Sequence, residues 1–197
     1  MEKQLIISVG REFGSGGHVI AEKLADRFGL ELFDNNLLAA VAEEKDVMHH
    51  TIEKYDEKPK NKLLSRTVRG HSNSPQEHVA NMQFEYLKKM ASEGRSFVVV
   101  GRCAETMLKE NPALVSIFIL GDRKCKLERI KEKYHLSEEE ARQLAAKKDM
   151  KRKLYHNGHC KGKWGDSRTY DLTINSSRLG IDRTVDILEQ YIRERLK

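Results

Sequence analysis

The sequence predicts an α/β fold built on a mainly parallel sheet, and three observations carry that expectation. Its short apolar runs are continuous rather than alternating, as in strands covered on both faces; Phe97-Val98-Val99-Val100 and Leu114–Leu120 are the clearest. Helical periodicities fall between those runs. The opening apolar run leads directly into a glycine-rich turn, Gly10-Arg11-Glu12-Phe13-Gly14-Ser15-Gly16-Gly17, and a helical pattern follows at once.

Taken in order, the first strand is Leu5-Ile6-Ile7-Ser8-Val9. After the turn, Ile20, Leu24 and Phe28 recur at four-residue spacing, and Gly29 ends that helix. Glu31-Leu32-Phe33 is a weaker strand. Ser74-Pro75-Gln76-Glu77 has the capping-box pattern with proline at the first helical position. Behind it Val79, Met82, Tyr86, Leu87 and Met90 form an apolar stripe that stops at Gly94. The two clear strands come next. Ser137-Glu138-Glu139-Glu140 opens a helix reaching to about Tyr155, Leu172-Thr173-Ile174 is the fifth strand, and Ile181, Val185, Leu188 and Ile192 mark a last helix. Residues 45–74 and 156–169 do not fit this core; both are polar and read as mobile covers over one edge of the sheet.

The chain has 197 residues, enough for one domain with a full hydrophobic core. Hydrophobic content of 39% with 34% charged residues points to a soluble globular protein, and no apolar run is long enough to span a bilayer. The first residues are too quickly broken by glycine for a secretion signal. Cys103, Cys125 and Cys160 form an odd, scattered set, which suits reduced thiols in a cytoplasm. The net charge of +6 favours an anionic partner. Nucleic acid is disfavoured because few aromatic residues accompany the basic ones.

A strand, a glycine turn and a helix start make an anion site because the first helical N–H groups lack partners, the helix dipole is positive there, and glycine admits phosphate close to the backbone. The Walker pattern is G-x-x-x-x-G-K-[ST]. With Gly16 as its last glycine, Arg11 takes the first position, Gly17 stands where lysine belongs and His18 where the hydroxyl belongs. The glycines alone therefore leave two readings: a phosphate loop without its lysine, or a tight strand-to-helix turn.

Five segments together resemble the cytidylate-kinase-like branch of the P-loop nucleoside monophosphate kinases: ISVGREFGSGG, ELFDNNLL, VVVGRCAETML, IFILGDRKCKLERI and KKDMKR…KWGDSRTYDLTINSSRLGID. The resemblance runs from about residue 5 to 190. It implies a three-layer α/β/α P-loop fold with a five-stranded parallel sheet. It also implies an acceptor-binding insertion at 45–94 and a lid at 137–169 within one domain spanning 1–197. The implied activity is ATP-dependent phosphoryl transfer, with Mg²⁺, to CMP or a related pyrimidine nucleotide. In that branch the loop often reads G-S-G-G followed by a basic residue, and His18 departs even from this variant.

Phosphoryl transfer needs positioning and charge neutralisation more than covalent chemistry, so cations must converge on the phosphates. Arg11, Gly14, Ser15, Gly16, Gly17 and His18 would hold the donor phosphates, with Arg11 as a substitute for the absent lysine. Gly101-Arg102 follows an interior strand at the sheet edge where α/β folds bind ligands; the family's Gly-Arg there grips the acceptor phosphate. Asp34 ends the second strand, either near the acceptor or as cap of a helix beginning at Asn35. Lys148 and Arg152, four residues apart on one helical face, would close over the transferred group, with Asp149 orienting one of them. Asn175 and Ser176 would border the donor base, and Trp164 reads as a packing anchor. The His156–Cys160 stretch shows no second ligand cluster nearby in sequence, so no metal site is expected. The missing lysine also admits another reading, a catalytically weak or inactive domain that senses a nucleotide. Oligomeric state is open.

Overall fold

A computed structural model describes residues 3–34, 67–68, 71–72 and 75–197. Five strands form one sheet: β1 (Ile6–Arg11), β2 (Glu31–Phe33), β5 (Phe97–Val100), β6 (Leu114–Leu120) and β7 (Leu172–Asn175). Their spatial order is β2-β5-β1-β6-β7, and every neighbouring pair is parallel. β1 is thus central, with β5 and β6 on either side. A separate antiparallel pair joins β3 (Thr67–Val68) to β4 (His71–Ser72). The remainder of the expected cover at 45–74 lies outside the described residues.

The continuous apolar runs exist because both sheet faces are covered. Ile7, Val9, Val98, Val100, Val115, Ile117 and Ile119 pack with Ile20 and Leu24 of α1 (Gly17–Phe28) and with Val185, Leu188 and Ile192 of α6 (Gly180–Arg195). The alternate residues Ile6, Phe97, Val99 and Leu114 face the opposite way. They pack with Phe33 and with Val79, Met82, Leu87 and Met90 of α2 (Pro75–Ser92). A short helix α3 (Ala104–Met107) completes that layer. The architecture is a three-layer α/β/α sandwich.

Two further helices flank one end of the sheet. The segment after β6 forms α4 (Arg123–Tyr134), which lacks a broad apolar face; only Leu127 and Ile130 are buried, so its periodicity is faint in the sequence. The next helix, α5 (Glu138–His159), begins with a complete capping box between Ser137 and Glu140 and extends past Tyr155 to His159. The expected cover at 156–169 makes local contacts. Trp164 meets Phe118 edge-on with ring centres 5.5 Å apart, and Asp166 accepts the Arg168 N–H that starts a 3₁₀ turn at Ser167–Thr169.

Ile117 sits in β6 with no exposed surface, between β1 and β7. We expect Ile117→Ala to lower unfolding free energy by about 2–5 kcal/mol in urea titrations, through lost burial and the cavity left behind. A loss below about 1 kcal/mol would contradict this placement.

Candidate active site

β1 leaves the sheet at Arg11, and its chain turns through Glu12–Gly16 before α1 begins at Gly17. Gly14 and Gly16 both have left-handed backbone, with φ of 81° and 80°. A Cβ at Gly14 would stand 2.8 Å from the Lys126 carbonyl oxygen, so the turn needs glycine twice over. Gly16 caps α1 without any side-chain hydrogen bond. Among the described residues, the N–H groups of Gly14, Gly16 and His18 take no partner, as expected at a helix start.

Other elements hold this loop by its backbone. The Ser176 hydroxyl, fully buried, donates to the Ser15 carbonyl. Arg129 of α4 donates to the Gly14 carbonyl at 3.2 Å. Asp149 of α5 accepts the Phe13 N–H at 2.7 Å, across 136 residues of sequence. Within the loop, Ser15 donates its hydroxyl to the Glu12 carbonyl at 2.8 Å and accepts the Gly17 N–H at 3.3 Å. Lys126 reaches the Glu12 carboxylate at 2.9 Å and Asp149 at 3.7 Å. Burial pushes the Asp149 carboxyl above its ordinary pKa, while the Phe13 N–H, Lys126 and Arg152 pull it back.

A cleft of about 440 Å³ opens over this loop. Arg11, Gly14, Gly16, Gly17, His18, Asp34, Lys148 and Arg152 all line it, together with Arg129, Lys133 and Lys151. Beside it lies a small cavity of about 30 Å³, bounded by Gly10, Arg11, Gly101, Arg102 and Arg152. That volume suits a water or two. Arg11 and Arg152 line both spaces. The Arg11 guanidinium lies against Gly101, where any Cβ would collide with it. Arg152 donates to the Arg11 carbonyl at 3.3 Å and stacks over Phe13.

Arg102 is almost fully buried, at 3% exposed. Gly101, Arg102 and Cys103 all have positive φ, at 76°, 58° and 55°. Two consecutive non-glycine residues in this region cost on the order of 1–3 kcal/mol each, a strain that proteins tolerate where a side chain must be aimed. Here the turn brings the buried Arg102 to the lining of the small cavity.

Other expected residues have different surroundings. His18 is half-exposed, with one ring nitrogen 3.3 Å from Glu22 and the other 3.4 Å from Asp34, so it faces carboxylates rather than the loop. The helix that Asp34 would cap lies outside the described residues. Asn175 donates to Asp122 and accepts the Ser177 N–H, and Ser176 is enclosed under Ser15. Both therefore brace backbone instead of opening onto the cleft. The Ser15 hydroxyl, fully buried, is likewise spent on backbone.

Lys126 and Arg129, both on α4, reach the loop as well. Once α4 is known to be helical, Lys126, Arg129, Ile130 and Lys133 fall on one face at i, i+3, i+4, i+7. In sequence Cys103 lies far from His156 and Cys160. The β5–α3 turn places Cys103 and Glu105 beside them: His156 Nε2 lies 2.7 Å from Glu105, and Cys103 hydrogen-bonds Cys160. Burial works against a charge on His156, but its bonds to Cys160 and Glu105 outweigh this and push its pKa up to about 10.

Fold and loop together define a P-loop kinase architecture: central β1, a glycine turn into α1, and basic helices over the sheet's C-terminal edge. A sequence model of the cytidylate kinase-like family matches residues 6–178, and the chain belongs to that family. An uncharacterized protein from Eubacterium ventriosum is 38% identical, with 96% of this chain and 99% of that one covered and a TM-score of 0.77. Shikimate kinase from Bacteroides thetaiotaomicron shares the fold at 10% identity, with a TM-score of 0.55 over 96% of this chain and 98% of that one. Shikimate kinase from Acinetobacter baumannii, in complex with shikimate, has 15% identity and a TM-score of 0.52, covering 100% of this chain and 97% of that one. No curated protein sequence matches the chain.

Replacing Asp149 leaves the Phe13 N–H without its partner. We expect Asp149→Ala to cost about 1–2 kcal/mol in stability and to speed hydrogen exchange at the Phe13 amide. Unchanged exchange at that amide would show that the loop is held without Asp149.

Proposed function

We propose that this protein transfers the γ-phosphoryl group of ATP to a nucleoside monophosphate, CMP or a related pyrimidine nucleotide. One observation carries the reading: Arg11 and Arg152 line both the cleft over the glycine loop and the small cavity that holds Arg102. A group passing between two bound phosphates must cross such a shared boundary, and fixed positive charge there stabilises it in transit.

In this reading the partnerless amides of Gly14, Gly16 and His18 receive the donor phosphates at the positive end of α1. Lys148, Lys151 and Arg152 of α5 supply the charge that the absent loop lysine would bring. Arg102 binds the acceptor phosphate through its planar fork, from a cavity that must widen as the phosphate enters. Asp34, at the cleft margin, orients the acceptor. Mg²⁺ would arrive with the nucleotide and neutralise phosphate charge. The residues present fit that arrangement: Glu12 and Asp34 are the carboxylates lining the cleft, whereas the Ser15 hydroxyl is already engaged. The chain has no helix long and apolar enough to cross a membrane among its described residues, and the reaction envisaged takes place in the cytoplasm.

The sensor alternative draws on His18. Its nitrogens are turned to Glu22 and Asp34, so no side chain of the loop itself presents a cation to the phosphates beyond Arg11.

A coupled assay of ADP formation with Mg²⁺-ATP and each nucleoside monophosphate separates the two. We expect CMP-dependent turnover that falls about 10³-fold or more in Arg152→Ala, the scale of a lost transition-state arginine. Tight ATP binding by calorimetry with no turnover on any acceptor would establish the sensor instead.

A further inference from the structure

Glu105, His156 and Cys160 place one carboxylate oxygen, one imidazole nitrogen and one thiol sulfur within 4.8 Å of one another. They come from two elements. His156 and Cys160 are four residues apart at the end of α5, where the Cys160 N–H still bonds the His156 carbonyl at 2.8 Å, so both side chains leave the same face. Glu105 is in the first turn of α3, two residues beyond Cys103. Glu105 and His156 are each only 4% exposed. The nucleotide reading gives none of these three groups a task.

We propose that Glu105, His156 and Cys160 bind a divalent ion of the zinc class, with water completing its coordination. Oxygen, nitrogen and sulfur donors at one point are the mixed set that a borderline-soft ion prefers. Charge supports the assignment: a 2+ ion with one carboxylate, one thiolate and a neutral imidazole sums to zero, which a buried site requires.

Distances support it too. Tetrahedral bonds of about 2.0–2.3 Å set ligand atoms about 3.3–3.8 Å apart. The His156–Glu105 contact of 2.7 Å must open by about half an ångström, and the widest separation, at most 4.8 Å, must close by about one. Side-chain rotation covers both changes.

The orientation of the imidazole gives a separate argument. His156 Nδ1 lies 3.3 Å from the Asn157 side-chain oxygen, which also accepts the Trp164 N–H at 2.8 Å. With the Nδ1 proton donated to Asn157, release of the Nε2 proton as the ion binds would turn that lone pair to the cluster. Such a partner on the far nitrogen is the usual support of a metal-bound histidine.

The ion would join the end of α5, which carries Lys148 and Arg152, to the turn that carries Arg102. This proposal does not depend on which phosphoryl acceptor the protein uses.

The test begins with chelator-treated wild-type protein, confirmed folded by circular dichroism and titrated with Zn²⁺ or Co²⁺ alone. We expect one ion per chain by mass spectrometry, a rise in melting temperature, and with Co²⁺ a thiolate charge-transfer band. Cys160→Ser should abolish the band, Asn157→Ala should weaken binding about 10–100-fold, and Cys125→Ser, on α4, should bind normally. Folded wild-type protein that shows neither band nor melting shift overturns the proposal. So does a Cys160→Ser variant that keeps both. Should Cys160→Ser fail to fold, the wild-type Co²⁺ spectrum and the Asn157→Ala affinity decide alone.

Discussion

The site depends on how the backbone from Glu12 to Gly17 is held. Three of these six residues are glycines, and left alone they would sample many conformations; Ser15 braces the turn from within. It is also held from outside: Ser176 bonds the Ser15 carbonyl, Arg129 the Gly14 carbonyl, and Asp149 the Phe13 N–H. These three residues come from the loop after β7, from α4 and from α5, so distant parts of the chain meet at one turn. The amides left over are those that point into the cleft. Preorganisation of this kind means that little ordering is left for an incoming anion to bring about.

That arrangement also explains the peculiar chemistry of the loop. A Walker loop brings its own lysine; this one has Gly17 and His18 at those positions. A Cβ at Gly17 would meet the Arg11 Cβ and Ile119, so close packing of α1 on the sheet leaves no room there for a lysine side chain. The positive charge has instead moved to neighbouring elements, to Arg11 on β1, to α4 and to α5. Acidic residues keep that charge in order. Glu12 and Asp149 hold Lys126, and Asp149 lies 3.7 Å from Arg152, so cations that would otherwise repel are spaced by carboxylates.

Much of the fold was legible because sheet and helix periodicity are local. All five strands of the parallel sheet stand where short β-rich runs predicted them, and Gly29, the helix start at Ser137 and the stripe from Val79 to Met90 mark real helix features, while the capping box expected at Ser74 lies outside the described residues. α4 was not legible, since two buried residues in twelve leave almost no pattern. The site was legible as a set of residue types but not as contacts. Nothing local reveals that Asp149 would find the Phe13 amide or that Ser176 would lie beneath Ser15. Cys103 and Cys160 illustrate the same limit: 57 positions separate them, and only the left-handed turn after β5 brings them together. Sequence spacing is a poor guide to ligand sets assembled from two elements.

Trp164 is the chain's single tryptophan. Its ring rests on Phe118, its backbone is tied to Asn157, and it borders the cavity shared by the three arginines. An indole so placed is an optical reporter built into the molecule. Any anion that parts those guanidinium groups alters the polarity around one indole, with no second tryptophan to blur the signal, so occupancy can be followed in the native chain without a label.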